Sequence, residues 1–218
     1  MITLYAFGNV HPAVHGETRD LRAQWALEET GLPYRVEGID HTGGENLGHP
    51  FSEISPFNQI PILDDDGFVL SESAAILLYL AEKSGKLIPA DFQGRTRVTQ
   101  WCFGALSTVE IPLAMLSFIR LGALGEAATT KQFMTGYAER VLDGVNRHLE
   151  GREWMACADF TVADLLLATV LRHVRNTDLL DAYPEVKAFY ARATARPAWQ
   201  RTLDLYAERL GADREKIV

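Results

Sequence analysis

The residues Ser71-Glu72-Ser73 stand directly before a strongly apolar run, Ala74-Ala75-Ile76-Leu77-Leu78-Tyr79-Leu80. A serine side chain accepts hydrogen bonds from the free N–H groups at a helix start, so this pattern predicts a helix over residues 72–83, capped by Ser71. The first turn of a helix also carries a partial positive charge and binds carboxylates. The sequence therefore indicates a carboxylate site formed by Glu72 and Ser73, with a simple helix cap as the alternative.

A predicted hairpin precedes this helix. Two short apolar runs, residues 60–63 and 68–70, flank the residues Asp64-Asp65-Asp66-Gly67, and an Asp-Gly pair in this position is typical of a tight turn. Pro61 stands near the start of the first run. Because proline has no N–H to donate to a sheet, it must lie at an edge, a bulge or a bend.

Strands and helices alternate only in the first third of the chain. A β-type run at 2–7, a helical pattern at 18–30 that Gly31 closes, and a strand at 33–39 precede the hairpin. This order predicts a compact α/β unit with a mixed sheet. Residues 84–94 are typical of a linker, and the pattern beyond them is helical. We expect Pro112 to interrupt one of these helices and residues 162–174 to form a buried central helix.

These motifs resemble the glutathione transferase superfamily, in particular its bacterial theta- and nu-like members, over essentially the whole chain. A further match is Thr161-Val162-Ala163-Asp164, a capping box that we interpret as structural. The resemblance implies an α/β plus all-α protein. Its parts would be a thioredoxin-like glutathione-binding domain with a mixed sheet at 1–83, a linker at 84–94 and an all-helical domain at 95–218.

The resemblance also implies how glutathione, the co-substrate, would be held. Pro61 would follow a cis peptide bond, so that the main chain of Ile60 pairs with the cysteinyl part of the tripeptide in β fashion. Ser73 would bind the γ-glutamyl carboxylate and Glu72 the γ-glutamyl ammonium, and Gln59 would add an amide contact. The alternative for Pro61 is an ordinary edge-strand proline.

Three residues are candidates for activating the glutathione thiol. The free thiol has a pKa near ~8.5, and the thiolate is the reactive species. Family members lower this pKa with a Tyr, Ser or Cys near the first strand or helix. This chain has no Cys before Cys102, and the usual serine position falls on Glu17, whose charge would oppose a thiolate. The candidates that remain, in order of preference, are Thr18, Arg19 and Tyr5, with helix capping as the alternative role of Thr18.

The charge of the chain argues against nucleic acid as a partner. The net charge is −8, and residues 1–86 hold five Lys and Arg against thirteen Asp and Glu, whereas the rest holds sixteen of each. An acidic chain without a basic stripe does not attract a polyanion. An anionic ligand must therefore be held by local N–H groups and individual cations.

Several further classes are not expected. Cys102 and Cys157 alone provide no disulfide framework, and the first residues do not resemble a signal peptide, so we predict a cytoplasmic protein without a membrane partner. His11 and His15 are four residues apart, but Pro12 and Gly16 argue against a helix there, so no metal site is predicted. The weaker candidates for the glycyl carboxylate of glutathione are His49 and Arg22.

The expected reaction is attack of the glutathione thiolate on an electrophilic carbon of a hydrophobic small molecule, or reduction of a peroxide by the same thiolate. The family is commonly dimeric, and we expect a homodimer. One alternative is a non-catalytic binding or scaffold protein with the same fold. Another is a dedicated glutathione-dependent dehalogenase, isomerase or lyase. Candidates for lining an acceptor pocket are Trp101, Ala105, Val109, Met115 and Phe118.

Overall fold

The computed structural model of the chain describes residues 1–48, 51–124 and 128–217. Contacts divide the chain into two compact units. The first unit comprises Met1–Leu87 together with Arg196–Val218, and the second comprises Ile88–Ala195. The first is α/β and the second is helical, which confirms the predicted fold class.

The first unit is built on a four-stranded mixed sheet. Its elements are β1 Ile2–Asn9, α1 Asp20–Thr30, β2 Tyr34–Asp40, α2 Phe51–Ile54, β3 Ile62–Asp65, β4 Phe68–Leu70, α3 Ser73–Ser84 and the C-terminal helix, which is α9 of the chain, Pro197–Leu210. The strand order is β2-β1-β3-β4. The strands β1 and β2, which a helix connects, are parallel, whereas β3 is antiparallel to both β1 and β4.

The hairpin forms as predicted, but its first strand begins two residues later. Asp66 and Gly67 have φ values of 51° and 93°, and such positive values are those of a tight hairpin turn. The Gly67 N–H donates to the Asp64 carboxylate at 2.7 Å. The paired register of β3 starts at Ile62, so the predicted start at residue 60 is wrong, because Pro61 cannot donate to the ladder.

The helix α1 ends at Gly31, as predicted, with a left-handed φ of 71° and a hydrogen bond from its N–H to the Leu27 carbonyl at 2.9 Å. Most of its residues are buried, because both α3 and α9 pack against it. Trp25 of α1 and Trp199 of α9 have ring centroids 4.6 Å apart. The helix α1 is therefore packed on two sides within the first unit.

Contacts place α9 with the first unit, whereas the predicted helical domain runs to residue 218. Besides the tryptophan pair, Arg196 of this C-terminal segment donates from Nε and Nη2 to the Glu29 carboxylate at 2.6 and 2.8 Å. A bidentate pair of this kind fixes orientation as well as distance. The predicted boundaries at 83, 94 and 95 stay a prediction.

The second unit consists of the remaining helices, α4 Phe92–Gly104, α5 Glu110–Arg120, α6 Ala128–Leu149, α7 Val162–Leu171 and α8 Pro184–Thr194. A π-helical stretch, Ala105–Val109, connects α4 to α5. The predicted interruption by Pro112 therefore falls in the preceding turn rather than at the proline itself. The reason is that a proline ring removes one N–H and crowds the carbonyl four residues earlier, which the wider π turn accommodates.

The central helix α7 is buried along its whole length, as the sequence predicts. Its capping box is present: the N–H and the hydroxyl of Thr161 both donate to Asp164 Oδ2 at 2.8 Å. The Met155 N–H donates to Asp164 Oδ1 at 2.7 Å. The carboxylate thus satisfies donors from a loop and from the helix start, which confirms its structural interpretation.

One helical stretch of the described chain, Phe92–Arg120, is long and apolar enough to cross a membrane when judged by length and composition alone. It comprises α4, the π turn and α5. Core helices of globular proteins meet the same criterion, so this stretch is weak evidence for a membrane span. The expectation of no membrane partner stays a prediction.

We expect Asp164→Ala to lower the free energy of unfolding by about 2–4 kcal/mol, because it leaves buried donors without their acceptor. Urea unfolding followed by tryptophan fluorescence measures this. Asp159→Ala, which removes an exposed carboxylate nearby, is the control and should change stability by less than ~0.5 kcal/mol. A loss below ~1 kcal/mol for Asp164→Ala would contradict the interpretation.

The pH dependence of this effect has a defined sign. Burial raises the pKa of the Asp164 carboxyl to about 6, above its ordinary 3.8. A carboxyl with a raised folded-state pKa stabilises the fold most at pH values below its unfolded pKa, and this stabilisation is lost as the pH rises through about 6. The difference in stability between the wild type and Asp164→Ala should therefore be larger near pH 4.5 than near pH 7.

Candidate functional site

Three separate segments of the first unit meet at one shallow pocket. The enclosed part of the pocket has a volume of about 30 Å³, close to that of one water molecule, so it can accommodate only the end of a ligand. The residues that line it are Arg19, Gln59, Ile60, Pro61, Glu72 and Ser73. The structure therefore brings together five of the seven residues that the sequence suggested for ligand binding and one of the three catalytic candidates.

The Ile60–Pro61 peptide bond is cis, as the resemblance implies. The loop before it is fixed by side chains: the Ser55 hydroxyl accepts from the Gln59 N–H at 2.9 Å, and the buried Asn46 amide donates to the Asn58 carbonyl at 2.9 Å. Ile60 precedes the paired register of β3, so the ladder does not use its main-chain groups. An extended peptide could pair with them in the manner of an added strand.

The start of α3 differs from the predicted cap. Its N-cap residue is Glu72, not Ser71, and Glu72 makes no side-chain capping bond. Glu72 has φ 68° and ψ 114°, so the helix cannot extend back to Ser71. A non-glycine residue in such a conformation costs about 1–3 kcal/mol and is found preferentially at functional sites. The turn directs Glu72 to the surface, while Ser73 beside it is buried.

Behind this helix start lies a buried cation that the sequence indicated for a different role. Arg22 of α1 is buried, and its Nη1 donates to the Ser73 hydroxyl at 3.2 Å. The sequence makes Arg22 a candidate for the glycyl carboxylate of the ligand, but the structure places its guanidinium against Ser73, the residue proposed for the γ-glutamyl carboxylate. His49, the other such candidate, lies outside the described residues. The guanidinium adds positive charge to the partial charge of the α3 N-terminus, which favours an anion at Ser73.

Thr18 precedes α1 but does not cap it. The N-cap position belongs to Arg19, which makes no side-chain capping bond. The Thr18 hydroxyl instead forms a hydrogen bond of 2.9 Å with the hydroxyl of Tyr206 on α9. The alternative that Thr18 serves as a helix cap is therefore wrong, because its hydroxyl is turned towards α9.

Tyr5, the third catalytic candidate, lies in β1 outside the lining of the pocket. Its ring makes an edge contact with Phe51 at a centroid distance of 5.7 Å, within a cluster that also contains Ile39, Ile60 and Ile62. Burial raises the pKa of its phenol, and the nearby Glu37 carboxylate adds to this. The phenol therefore stays protonated, and its ring has a clear packing role.

A buried polar cluster that sequence reasoning missed joins β1, α1 and α9. Asp20, the first residue of α1, accepts hydrogen bonds from the Phe7 N–H at 3.2 Å and from Arg209 Nη2 at 2.9 Å. Arg209 also donates to the Phe7 carbonyl at 2.9 Å and to the Gln24 amide oxygen at 2.8 Å. The only sequence signal was an acidic residue in the first turn of a predicted helix.

Neither cysteine lines the pocket, and the environment of each raises its thiol pKa. Cys102 is buried, and burial raises the pKa of its thiol to about 12, so its thiolate is scarce at neutral pH. Burial also raises the pKa of the Cys157 thiol. Within the described ranges, no group of three or more His, Cys, Asp and Glu side chains is arranged to hold a metal ion.

The five candidates for an acceptor pocket have different environments in the second unit. Ala105 and Val109 are buried core residues, and the Trp101 ring lies 4.4 Å from the His148 ring at an interplanar angle of 44°. Met115 is half-buried and Phe118 is exposed. A cleft of about 410 Å³ lies elsewhere in this unit, between Leu116, Ile119, Lys131, Thr135, Val174 and Leu179 among others, and includes none of the five.

Comparisons with known proteins extend over most of the chain. Residues 21–83 match the family model for the N-terminal domain of glutathione S-transferase, and residues 118–201 match the model for its C-terminal domain. Glutathione S-transferase D7 of Drosophila melanogaster is 31% identical over 189 residues, which cover 83% of this chain and 82% of that protein. The disulfide-bond oxidoreductase YfcG of Escherichia coli is 30% identical over 185 residues, which cover 81% of this chain and 86% of that protein.

Solved structures agree with the sequence relatives. A glutathione transferase family member from Pseudomonas fluorescens pf-5, determined with two glutathione bound, is 28% identical with a TM-score of 0.81. The match covers 92% of this chain and 91% of that one. Together with the mixed sheet, the cis-proline loop and the serine at the start of α3, these matches identify the protein as a member of the glutathione S-transferase superfamily.

Proposed function

We propose that this protein binds glutathione in the pocket between the cis-proline loop and α3, and transfers its thiolate to an electrophilic carbon of a hydrophobic small molecule. The observation that carries the proposal is the convergence of Ile60, Glu72 and Ser73 on one pocket. Glutathione in the solved structure of the Pseudomonas fluorescens relative supports the choice of ligand. The same thiolate could reduce a peroxide, which belongs to the same proposal.

Each part of the tripeptide has a chemically suitable counterpart in the pocket. The main chain of Ile60 would pair with the cysteinyl residue in β fashion, with Gln59 beside it. Ser73 and the free N–H groups at the start of α3 would bind the γ-glutamyl carboxylate, reinforced by Arg22 at 3.2 Å from the Ser73 hydroxyl. The exposed carboxylate of Glu72 would attract the γ-glutamyl ammonium. These paired contacts would bind the zwitterionic end of glutathione although the net charge of the chain is negative.

Thr18 is the preferred thiol-activating residue in this proposal. A hydroxyl that donates to a thiolate favours the ionised form and so lowers the thiol pKa. Arg19 lines the pocket and is the alternative, because a cation near the sulfur has the same effect. Tyr5 is the least favoured of the three, because its ring packs in an apolar cluster.

A second candidate function is glutathione-dependent disulfide reduction. It is favoured by the relative YfcG, a disulfide-bond oxidoreductase, and by a Pseudomonas putida glutathione transferase solved with glutathione disulfide, which is 27% identical with a TM-score of 0.81. In this reaction the glutathione thiolate attacks a disulfide sulfur, one thiolate leaves, and a second glutathione resolves the mixed disulfide. The products are a dithiol and glutathione disulfide.

The experiment that tests the proposal is calorimetric titration with glutathione, followed by the ultraviolet thiolate absorbance of the complex between pH 5 and 9. Binding with a thiol pKa well below ~8.5 supports an activated sulfur. Binding with an unshifted pKa would instead support a carrier or scaffold, and absence of binding would contradict the proposal. Turnover with 1-chloro-2,4-dinitrobenzene, cumene hydroperoxide and hydroxyethyl disulfide then separates transfer to carbon, peroxide reduction and disulfide reduction.

A change at Glu72 should separate stability from binding. We expect Glu72→Gly to raise the free energy of unfolding by about 1 kcal/mol, because glycine adopts a positive φ without strain. The same variant should weaken glutathione binding by roughly tenfold or more, since it removes the carboxylate that would face the ammonium. Urea unfolding and calorimetric titration measure the two effects.

The matched control for this prediction is Glu72→Gln, which keeps the side-chain size and the β-carbon but removes the charge. It should weaken binding without the gain in stability. The double variant Glu72→Ala with Ser73→Ala should abolish glutathione retention. Unchanged affinity in all three variants would rule out this pocket as the binding site.

We also propose a cytoplasmic homodimer. Monomeric proteins rarely expose many large apolar side chains, and five phenylalanines of the described chain are more than half exposed, namely Phe57, Phe68, Phe92, Phe103 and Phe133. Burial of such side chains against a second copy would remove this surface from water. The free state of both cysteines suits a reducing compartment.

The double variant Phe103→Asp with Phe133→Asp should convert the dimer to a monomer, because it would place two charges in an apolar interface. Sedimentation velocity measures the change, from about twice the chain mass of 24.3 kDa to that mass itself. Leu205→Asp on α9, which is a less exposed apolar position, is the control and should stay dimeric. A wild-type protein that sediments as a monomer would contradict the dimer.

A further inference from the structure

We propose that Arg22 determines the specificity of the pocket: it makes the Ser73 hydroxyl a hydrogen-bond donor and so selects ligands that present a carboxylate at the start of α3. This inference rests on the proposed function, because the carboxylate in question is that of the γ-glutamyl residue. Arg22 is not among the residues that line the pocket, so it acts through Ser73. It is therefore a positioning residue rather than a contact of the ligand.

Ser73 connects a buried cation to the pocket. Arg22 of α1 is 2% exposed and Ser73 of α3 is 5% exposed, and Arg22 Nη1 lies 3.2 Å from Ser73 Oγ. Ser73 is also one of the residues that line the pocket. This small side chain is thus in contact with the guanidinium and with the space for the ligand at the same time.

The direction of this hydrogen bond follows from the chemistry of the two groups. A guanidinium has N–H donors and no acceptor, so Arg22 can only donate to Ser73. The Ser73 oxygen is therefore the acceptor, and its own proton is not used in this bond. Within the part of the chain that the structure describes, no acceptor for the Ser73 proton is present. A buried hydroxyl proton without an acceptor is unfavourable, so an acceptor on a ligand would satisfy it.

A carboxylate satisfies both the proton of Ser73 and the charge of Arg22. Because Arg22 Nη1 is 3.2 Å from Ser73 Oγ, a ligand oxygen bound to that hydroxyl at about 2.8 Å would lie at most about 6 Å from the guanidinium. Opposite charges at this distance attract strongly where they are shielded from water. A neutral amide or ester could also accept the Ser73 proton, but it would gain little from the cation.

The neighbouring carboxylate of Glu72 makes a cation at this place necessary. Glu72 precedes Ser73, is exposed and lines the pocket, so its negative charge would repel a ligand carboxylate bound at Ser73. Arg22 offsets this repulsion, and the partial positive charge of the α3 N-terminus adds to its effect. The pocket can then bind a carboxylate at Ser73 and an ammonium at Glu72.

The alternative is that Arg22 only joins α1 to α3 and has no part in selecting the ligand. Loss of a buried arginine would destabilise the protein in either case, so stability does not distinguish the two roles. A structural role would weaken the binding of all ligands alike. A role in specificity would weaken the binding of those ligands that carry the carboxylate.

The test compares glutathione with 4-aminobutyryl-cysteinyl-glycine, which lacks the α-carboxylate of the γ-glutamyl residue but retains its amine and the thiol. Calorimetric titration measures both affinities. We expect the wild type to bind glutathione about thirtyfold more tightly than the analogue, because a charge-assisted hydrogen bond is lost with the carboxylate. In Arg22→Met the affinity for glutathione should fall about tenfold while that for the analogue hardly changes, so the ratio should drop to about threefold.

The matched control is Arg172→Met in the second unit. Arg172 is also 2% exposed, and its Nη1 donates to the Tyr190 hydroxyl at 3.4 Å, so this variant removes a comparable buried arginine and should keep the wild-type ratio. Arg22→Lys retains a cation that can only donate and should keep a ratio above about tenfold. If Arg22→Met does not fold, Arg22→Gln replaces it. Glutamine retains N–H donors without the charge, so the ratio should fall below about tenfold.

The outcomes separate the inference from the proposed function. An unchanged ratio in Arg22→Met or Arg22→Gln, or an equal loss of affinity for both ligands, would overturn the role of Arg22. A wild-type ratio near one would also overturn it, because the α-carboxylate would then not be bound at Ser73. Turnover of glutathione with 1-chloro-2,4-dinitrobenzene in the same preparation would leave the proposed transfer reaction intact. Absence of glutathione binding to the wild type would instead overturn the proposed function.

Discussion

The buried carboxylate of Asp20 is the interaction on which the arrangement of the first unit depends. A fully buried charge is strongly unfavourable unless a partner and hydrogen bonds compensate for its lost hydration. Here Arg209 provides the opposite charge and the Phe7 N–H a further donor. Because the three residues belong to α1, α9 and β1, and both hydrogen bonds end on the same oxygen, Oδ2, the compensation of one buried charge joins three elements. The loop between β1 and α1, which carries Thr18 and Arg19, begins and ends within this arrangement and is positioned by it.

The same unit carries the negative charge of the chain yet is proposed to bind an anionic ligand. Its overall field would repel glutathione, so the attraction must be local. The N-terminus of α3, the Arg22 guanidinium behind Ser73 and the Arg19 side chain at the pocket provide such local positive charge. Glu72 adds one carboxylate where the ligand carries an ammonium. The positive charge at the start of α3 and the negative charge of Glu72 therefore lie close together. A ligand that carries both a carboxylate and an ammonium fits this pair of charges better than a simple anion does.

Features that depend on a few neighbouring residues were predictable from the sequence. The Asp-Gly turn, the end of α1 at Gly31 and the capping box at Thr161 are of this kind, and they were confirmed. The predicted cap of α3, Ser71, was wrong. The positive φ of Glu72 moves the helix start, and residue type alone does not indicate such a backbone conformation. The contacts of the site itself were hidden for another reason. Arg22 and Ser73 are 51 positions apart, Thr18 and Tyr206 are 188 apart, and Asp20 and Arg209 are 189 apart. No local pattern pairs residues over such separations.

The absence of a suitable cysteine restricts both candidate reactions. Cys102 is buried with a pKa raised to about 12, and neither it nor Cys157 lines the pocket, so both proposed reactions use the sulfur of glutathione as the nucleophile. Transfer to carbon then needs one tripeptide and an electrophile. Disulfide reduction needs two tripeptides in succession, because the first glutathione forms the mixed disulfide and the second releases it as glutathione disulfide. Because the enclosed pocket is only about 30 Å³, most of the first glutathione would lie at the surface, where its sulfur stays accessible to either partner. Both reactions therefore need the same stabilised thiolate. They differ in the second substrate that binds beside its sulfur, which is an electrophilic carbon compound in one reaction and a disulfide in the other.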